Sequence, residues 1–477
     1  IKAGTIILST LVRLYWQSLW RGADPSEQAS ASPSSLQQVL LFISAVLLVA
    51  GSAYVVPYGD FRETAAVVHF WIGSAVMGLG FMLAWPLRRL SGRWFWGVAI
   101  ATRLLLLAMY PGDDIWRYLW EGYIQLQGFS PYDFAPTAAI LEPLRTVWWE
   151  QINNSFASAI YPPVTQLGFR LLASIAPSVI LFKTVFTLAD LGVCWLLSRR
   201  FGYRATLLYA WNPLVLYSFA GGGHYDSWFV LPLIMAWLWF DRGSDPDSPQ
   251  NSRRLPPLTY LGSALFVGIS IAVKWISLPV LAFIVWQALR RGRIGIALLS
   301  SLVGLLPVVL AALPFCSPTS CPLVRFGSSF VVNGRSAELI PYWVGQLWEP
   351  SRSANWLYAF PLALVVVWLL LRATSFHKFT EWYLIGLMVI SPIIHFWYLS
   401  WLMPFLVTSR NLGSRLVSLS AYIYFMLQYQ KSSGNCSWFL SETLRHWLWW
   451  PFVLGVLWSS AQVTWPRLRL ATKLNRT

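Results

Sequence analysis

The stretch GDDIWRYLWEGYIQLQGFSPYDFAP, Gly112 to Pro136, is a polar island beside long apolar runs. Read as a helix from Asp114, it sets Asp114, Arg117, Tyr118, Glu121 and Gln125 at three- and four-residue spacing on one face. Trp116, Leu119, Trp120 and Tyr123 fill the other side. This pattern predicts a helix lying in a membrane interface, its aromatic side among the headgroups and its carboxylates toward water or a cavity. Asp113 stands where it can cap the helix, and the helix dipole favours an ionised Asp114 in the first turn. A Ser130-Pro131-Tyr132-Asp133 turn follows Gly128 and ends the helix. On spacing alone, a surface helix with an Asp114–Arg117–Glu121 ion network fits as well.

Composition decides the setting. The 477 residues are 56% hydrophobic and 11% charged, with 30 tryptophans, where a soluble chain carries about 25% charged residues. An all-α polytopic membrane protein is expected. The net charge of +16 is not a nucleic-acid signature, because the basic residues sit in short clusters between apolar runs. At about 20 residues per span, the apolar runs predict about 12–14 transmembrane helices in one domain over residues 39–464. Residues 1–38 read as an interfacial helix and a polar linker. The helix is interrupted by Lys2 and Arg13 and lacks a signal-peptide cleavage site. Residues 465–477 read as a basic tail.

Clusters such as Arg88/Arg89/Arg93, Arg199/Arg200/Arg204 and Arg290/Arg291/Arg293 then fall on one side, which is the cytoplasmic side. Loops 111–178 and 315–353 face outward, carrying Asp113, Asp114, Glu121 and Asp133, and Asp226 falls on the same face. Tyr161–Pro177 reads as interfacial or re-entrant. Cys316 and Cys321 flank a short turn in the second outward loop and are either a local disulfide or two free thiols, whereas Cys194 is an inert apolar residue within a span.

Three further features carry candidate chemistry. Lys274 lies between apolar runs, and an intramembrane cation has a partner, a role, or a path to the interface. His224 and Asp226 sit in a glycine-rich outward turn, Gly221-Gly222-Gly223-His224-Tyr225-Asp226. A His-x-Asp pair with Asp114 is weak ground for a metal, so neither a metal nor another cofactor is expected. Lys183 and Asp190, two turns apart on one helix face, predict a structural intramembrane pair.

The order of the motifs adds a resemblance. Asp114-x-x-Arg117-Tyr118-x-Trp120-Glu121-Gly122, Gln127-Gly128-x-x-Pro131-Tyr132 and Ala135-Pro136 are followed by Tyr161-Pro162-Pro163-x-x-Gln166 and Asn212-Pro213. Then come Gly223-His224-x-Asp226, Lys274 before Pro279, and His395-Phe396-Trp397-Tyr398. The set, spread over residues 100–405, resembles the bacterial GT-C glycosyltransferases that use polyprenyl-phosphate sugars, mainly mannose. The family often has Asp at position 121 and Pro at 396. The resemblance implies GT-C architecture, a multi-pass protein of the bacterial inner membrane, and inverting transfer of a hexose from a polyprenyl phosphate to a lipid- or glycan-borne acceptor on the non-cytoplasmic face.

Such chemistry needs a base for the acceptor hydroxyl and groups that stabilise the departing phosphate. Asp114, carried over from the family's first-loop aspartate, is the expected base, with Asp113 as its alternate. Arg117, Lys274, His395 and Arg335 are candidates for the phosphate. Glu121, Tyr118, Tyr132, His224, Asp226, Tyr161 and Tyr398 are candidates for the sugar substrates. The expected partners are membrane lipids, the lipid-linked donor and the acceptor, and not nucleic acid. A transporter or flippase of lipid-linked sugars is the competing reading, but it has no evident need of the long 111–178 loop.

Overall fold

The computed structural model describes residues 35–243, 255–317, 321–324, 332–409, 411–435 and 438–474. The expected N-terminal interfacial helix and most of the linker lie outside these residues. Helices and the loops that join them make up the described residues, and their one β-bridge, Ser336 to Ile393, stands outside any strand. The all-α polytopic expectation holds. Five helical stretches are long and apolar enough to cross a bilayer: Ser35–Tyr58, Thr64–Ala84, Val179–Ala210, Ile294–Phe315 and Asn355–Arg372. The other apolar runs become shorter helices, among them Pro257–Val273, Trp275–Leu289 and Phe396–Val407. Broken helices of this kind are tolerated where protein surrounds them.

In chain order the helices used below are α1 (Ser35–Val55), α2 (Thr64–Ala84), α3 (Gly92–Leu107), α4 (Asp114–Leu126), α5 (Pro163–Ile175) and α6 (Val179–Ala210). They continue with α7 (Ser227–Gly243), α8 (Pro257–Val273), α9 (Leu278–Leu289), α10 (Ile294–Ala312) and α11 (Met426–Ser432). The 3₁₀ stretch Phe396–Val407 runs through the core. α6 bends at Gly202, and the run after it stops at Asn212, whose side chain accepts from the Leu214 amide and caps the turn beginning at Pro213. On α10, Leu298, Leu302 and Leu310 are exposed, an apolar face suited to lipid.

The interfacial picture of α4 needs correction. Trp120, Glu121, Arg117 and Gln125 are all buried, because α5 covers one side of the helix and the 138–152 segment covers the other. A Cβ on Gly122 would lie 2.4 Å from the Phe169 carbonyl oxygen, so α4 and α5 approach at backbone distance. The aromatic side of α4 meets Trp148 and Leu141 rather than headgroups.

The intramembrane pairing is also different. Asp190 receives the Arg103 guanidinium from α3 at 2.6 Å and the Tyr209 hydroxyl at 2.7 Å. Lys183 instead donates to the carbonyls of Leu106 (3.1 Å) and Met109 (2.6 Å). Two turns of separation put both groups on one face but did not reveal that α3 brings a stronger, planar partner.

Candidate active site

Three chain segments build the site. Gly112 donates to the Gly222 carbonyl at 2.9 Å, which ties the loop before α4 to the glycine turn before α7. Gly223, at φ +74°, turns the chain so that His224 comes back toward α4. His224 Nδ1 lies 3.5 Å from Asp114 Oδ2. The third segment, His395–Tyr398, places Trp397 between two imidazoles: its ring stacks on His224 at 3.7 Å and on His395 at 4.7 Å, nearly parallel to both. His395 Nδ1 is 2.7 Å from the Tyr424 hydroxyl.

The two aspartates differ sharply. Asp114 Oδ1 accepts from Asn153 Nδ2 at 2.6 Å, and Oδ2 accepts from the Tyr118 hydroxyl at 3.4 Å. Burial opposes its ionisation, but His224 and Asn153 outweigh it and hold the carboxyl at about 2. Asp113 occupies the N-cap position of α4, yet its side chain makes no cap hydrogen bond. It is exposed toward a cavity. Enclosure in that cleft, then the neighbouring Asp114 charge, push its carboxyl above the ordinary value.

That cavity, about 630 Å³, opens among Asp113, Trp116, Asn153, His224 and Trp397, with Asp60, Arg62, Gln428 and Lys431 farther along its wall. Polar and apolar groups line it together, as in sites for small polar ligands. A second space of about 630 Å³ between α1 and α3 is an apolar groove with Arg93 as its one charged lining residue among those described, and it holds none of the candidate groups.

Lys274 has found a partner. Its ammonium lies 2.5 Å from Asp226 Oδ1, which also accepts from Trp401 Nε1 at 2.8 Å. Tyr398 and Trp401 face the cation at 4.7 and 4.6 Å, and Tyr225 at 5.2 Å. The snorkelling alternative is therefore replaced by a boxed ion pair. His224, Asp226 and Asp114 are split between two clusters, with Asp226 turned to Lys274 and His224 to Asp114.

Other candidates serve to hold the site together. Arg117 gives Nε to Glu121 at 2.7 Å, and its remaining nitrogens to the carbonyls of Asn153, Asn154 and Ala157. Glu121 also accepts from Gln166 at 2.6 Å. Asp114 stands outside this ion pair, so the three-residue network anticipated from spacing does not form. Tyr132 donates to the Tyr161 carbonyl at 2.6 Å, Tyr161 packs on Tyr118 and Tyr225, and Tyr118 stacks on Phe169. Arg335 donates to the carbonyls of Ser351 and Arg352, away from the cavity wall. The sequence reading missed Asn153, Tyr424, Gln428 and Lys431. These lie in loops or on a short helix with no motif around them, whereas Trp397 was visible only as part of His395–Tyr398.

No curated protein and no solved structure matches the chain. The family model described as MptA_B family, alpha-(1->6)-mannopyranosyltransferase, N-terminal domain, matches residues 35–290, more than half of the chain. The match covers a helical membrane protein in which Asp113 lines a part-polar cavity beside Asp114, and the chain belongs to this family of α-(1→6)-mannopyranosyltransferases and is a glycosyltransferase.

Proposed function

We propose that the enzyme moves mannose from a polyprenyl phosphate to a lipid- or glycan-borne acceptor at the non-cytoplasmic face of the bacterial inner membrane, by one inverting displacement. The observation that carries this reading is the Asp113–Asp114 step, which sets one free and one immobilised carboxylate beside a polar cavity. An α-linked product formed with inversion requires a β-linked lipid phosphate donor. In the displacement the acceptor oxygen bonds to the anomeric carbon as the carbon–phosphate oxygen bond breaks. The electron pair leaves with the phosphate, and the acceptor proton goes to a carboxylate.

The geometry favours exchanging the two aspartates' expected roles. A base works best with a carboxyl raised toward the working pH and open to substrate, which describes Asp113. Asp114, held at about 2 by His224 and Asn153, is the better electrostatic and positioning group. Lys274 and His395 remain the proposed phosphate side. Asp114 interacts electrostatically with both, and all three are partly accessible. Every nitrogen of Arg117 already donates to Glu121 or to a carbonyl of the 153–157 loop, which argues against a phosphate role.

The outward orientation is supported by the Cys316–Cys321 disulfide, since such bonds persist in oxidising compartments. Phe315, beside that disulfide, packs on Tyr132 at 5.2 Å, so the bridge and the 111–162 segment share a face.

The test is transfer by the purified protein in nanodiscs, comparing polyprenyl-phosphate mannose with a nucleotide-linked mannose. Transfer from the lipid donor alone is expected. Transfer from the nucleotide donor alone would overturn both the donor and the outward site.

A further inference from the structure

The cavity at Asp113 has a far wall that the reaction centre itself does not explain. Part of it follows α1: the Asp60 carboxylate holds Arg62 at 2.5 Å, the guanidinium lies over the Tyr110 ring at 5.3 Å, and Tyr110 donates to Gln151. These groups satisfy one another. The rest comes from α11, on which Gln428 and Lys431 stand three residues apart and both line the cavity. The Gln428 amide and the Lys431 ammonium make no hydrogen bond or ion pair with the described residues. Lys431 acts on Asp113 through charge alone.

A wall with free amide and ammonium donors, opposite a free carboxylate, is prepared to bind an oxygen-rich ligand. Trp116 and Tyr424 line the same space and offer aromatic surface of the kind against which sugar rings pack, whereas the faces of Trp397 are taken by His224 and His395. Anionic ligands fit less well. The lining carboxylates Asp60, Asp113 and Glu150 outnumber the cations Arg62 and Lys431. A neutral glycan meets all of these conditions. Gln428 and Lys431 also lie beyond residues 35–290, so the family match does not reach them.

We propose that this cavity is the acceptor subsite and that Gln428 and Lys431, on α11, determine acceptor specificity by hydrogen-bonding the hydroxyls of a neutral glycan whose reacting hydroxyl points at Asp113. The proposal rests on the transferase reading above and assigns the second substrate to one side of the site. The α11 wall thus completes the acceptor subsite, while the donor is held on the Lys274–His395 side of Asp114.

The experiment measures donor and acceptor KM separately, with polyprenyl-phosphate mannose as donor and a short free α-mannosyl oligosaccharide as acceptor, on the full chain in nanodiscs. Gln428→Ala and Lys431→Ala should each raise acceptor KM about tenfold, the scale of one lost hydrogen bond to a bound ligand, and leave donor KM unchanged. Lys431 is exposed, so its variant retains the fold, and it serves as the decisive arm if Gln428→Ala is unstable. Acceptor KM within twofold of wild type for Lys431→Ala would overturn the proposal. A parallel rise in donor KM would do the same, because it would signify a general disturbance. A wild type inert toward the lipid donor would instead overturn the underlying transferase reading, and this assignment with it.

Discussion

At the scale of single residues, the site turns on two adjacent carboxylates with opposite surroundings. Asp114 is fixed by Asn153, Tyr118 and the His224 ring, while Asp113 stands open to the cavity without a cap bond. Asn would preserve the shape of either side chain and could not take a proton. Asp113→Asn should therefore lower kcat by about 10²–10⁴-fold with donor KM intact, measured with radiolabelled lipid-phosphate mannose. The loss of a helix cap contributes nothing to this effect, since the Asp113 side chain makes no cap hydrogen bond. Asp114→Asn should also impair transfer, but by loosening the loop and weakening the field at the anomeric carbon. If only Asp114→Asn is dead, the roles revert to those the sequence suggested.

The same assignment fixes a pH dependence. A base must be ionised, so the rate falls as pH drops through the raised Asp113 value. Asp114 faces Asp113 from the start of α4 and His224 from the glycine turn, Tyr217 and Tyr424 stand near it, and Lys431 faces it from α11. Lys431 favours the carboxylate, so Lys431→Ala should move the acid limb of kcat/KM to higher pH, and Gln428→Ala should not. An unmoved limb in Lys431→Ala would remove Asp113 as the titrating base.

At the scale of elements, α4 shows how much the sequence carried. Its start, its end and the common face of Arg117, Glu121 and Gln125 were all legible in the three- and four-residue spacing. Its burial was not. Polar residues on one face signal water or a cavity only when no other helix supplies matching polar groups, and α5 supplies Gln166 from a distance in sequence that periodicity cannot span. The Lys183–Asp190 pairing failed for the same reason, with Arg103 as the unseen partner. For Lys274 the sequence leaves a partner, a role or a path to the interface open, because Asp226 and the Tyr398/Trp401 box converge only in three dimensions. Arg117 gives the direct test. It is 5% exposed and pairs with a Glu121 that is 2% exposed, so removing the cation strands a buried carboxylate. Arg117→Met should cost about 3–5 kcal/mol of stability, read as a lower melting temperature in detergent. Any surviving protein should have an unaltered donor KM. A folded variant with a selectively raised donor KM would restore Arg117 to the phosphate site.

At the scale of the molecule, the membrane class was written in the composition, because so few charges cannot solvate a chain of this length. The number of spans was less legible, since runs buried within protein need not be long, and after Ser227 many of the helices are short. Two independent arguments support the proposed orientation. Basic clusters at Arg88/Arg89/Arg93 and Arg290/Arg291/Arg293 favour the cytoplasm, and the Cys316–Cys321 disulfide favours the opposite side for the segment that packs on Tyr132. They make one prediction together. Val147 is fully exposed at the rim of the Asp113 cavity, and Arg290 is exposed at the end of α9. In a background lacking Cys194 and Cys436, Val147→Cys should react with an impermeant maleimide added to intact spheroplasts, and Arg290→Cys should react only after the membrane is opened. The reverse pattern would place the aspartate pair in the cytoplasm, where nucleotide-linked sugars are at hand and a lipid-phosphate donor loses its rationale.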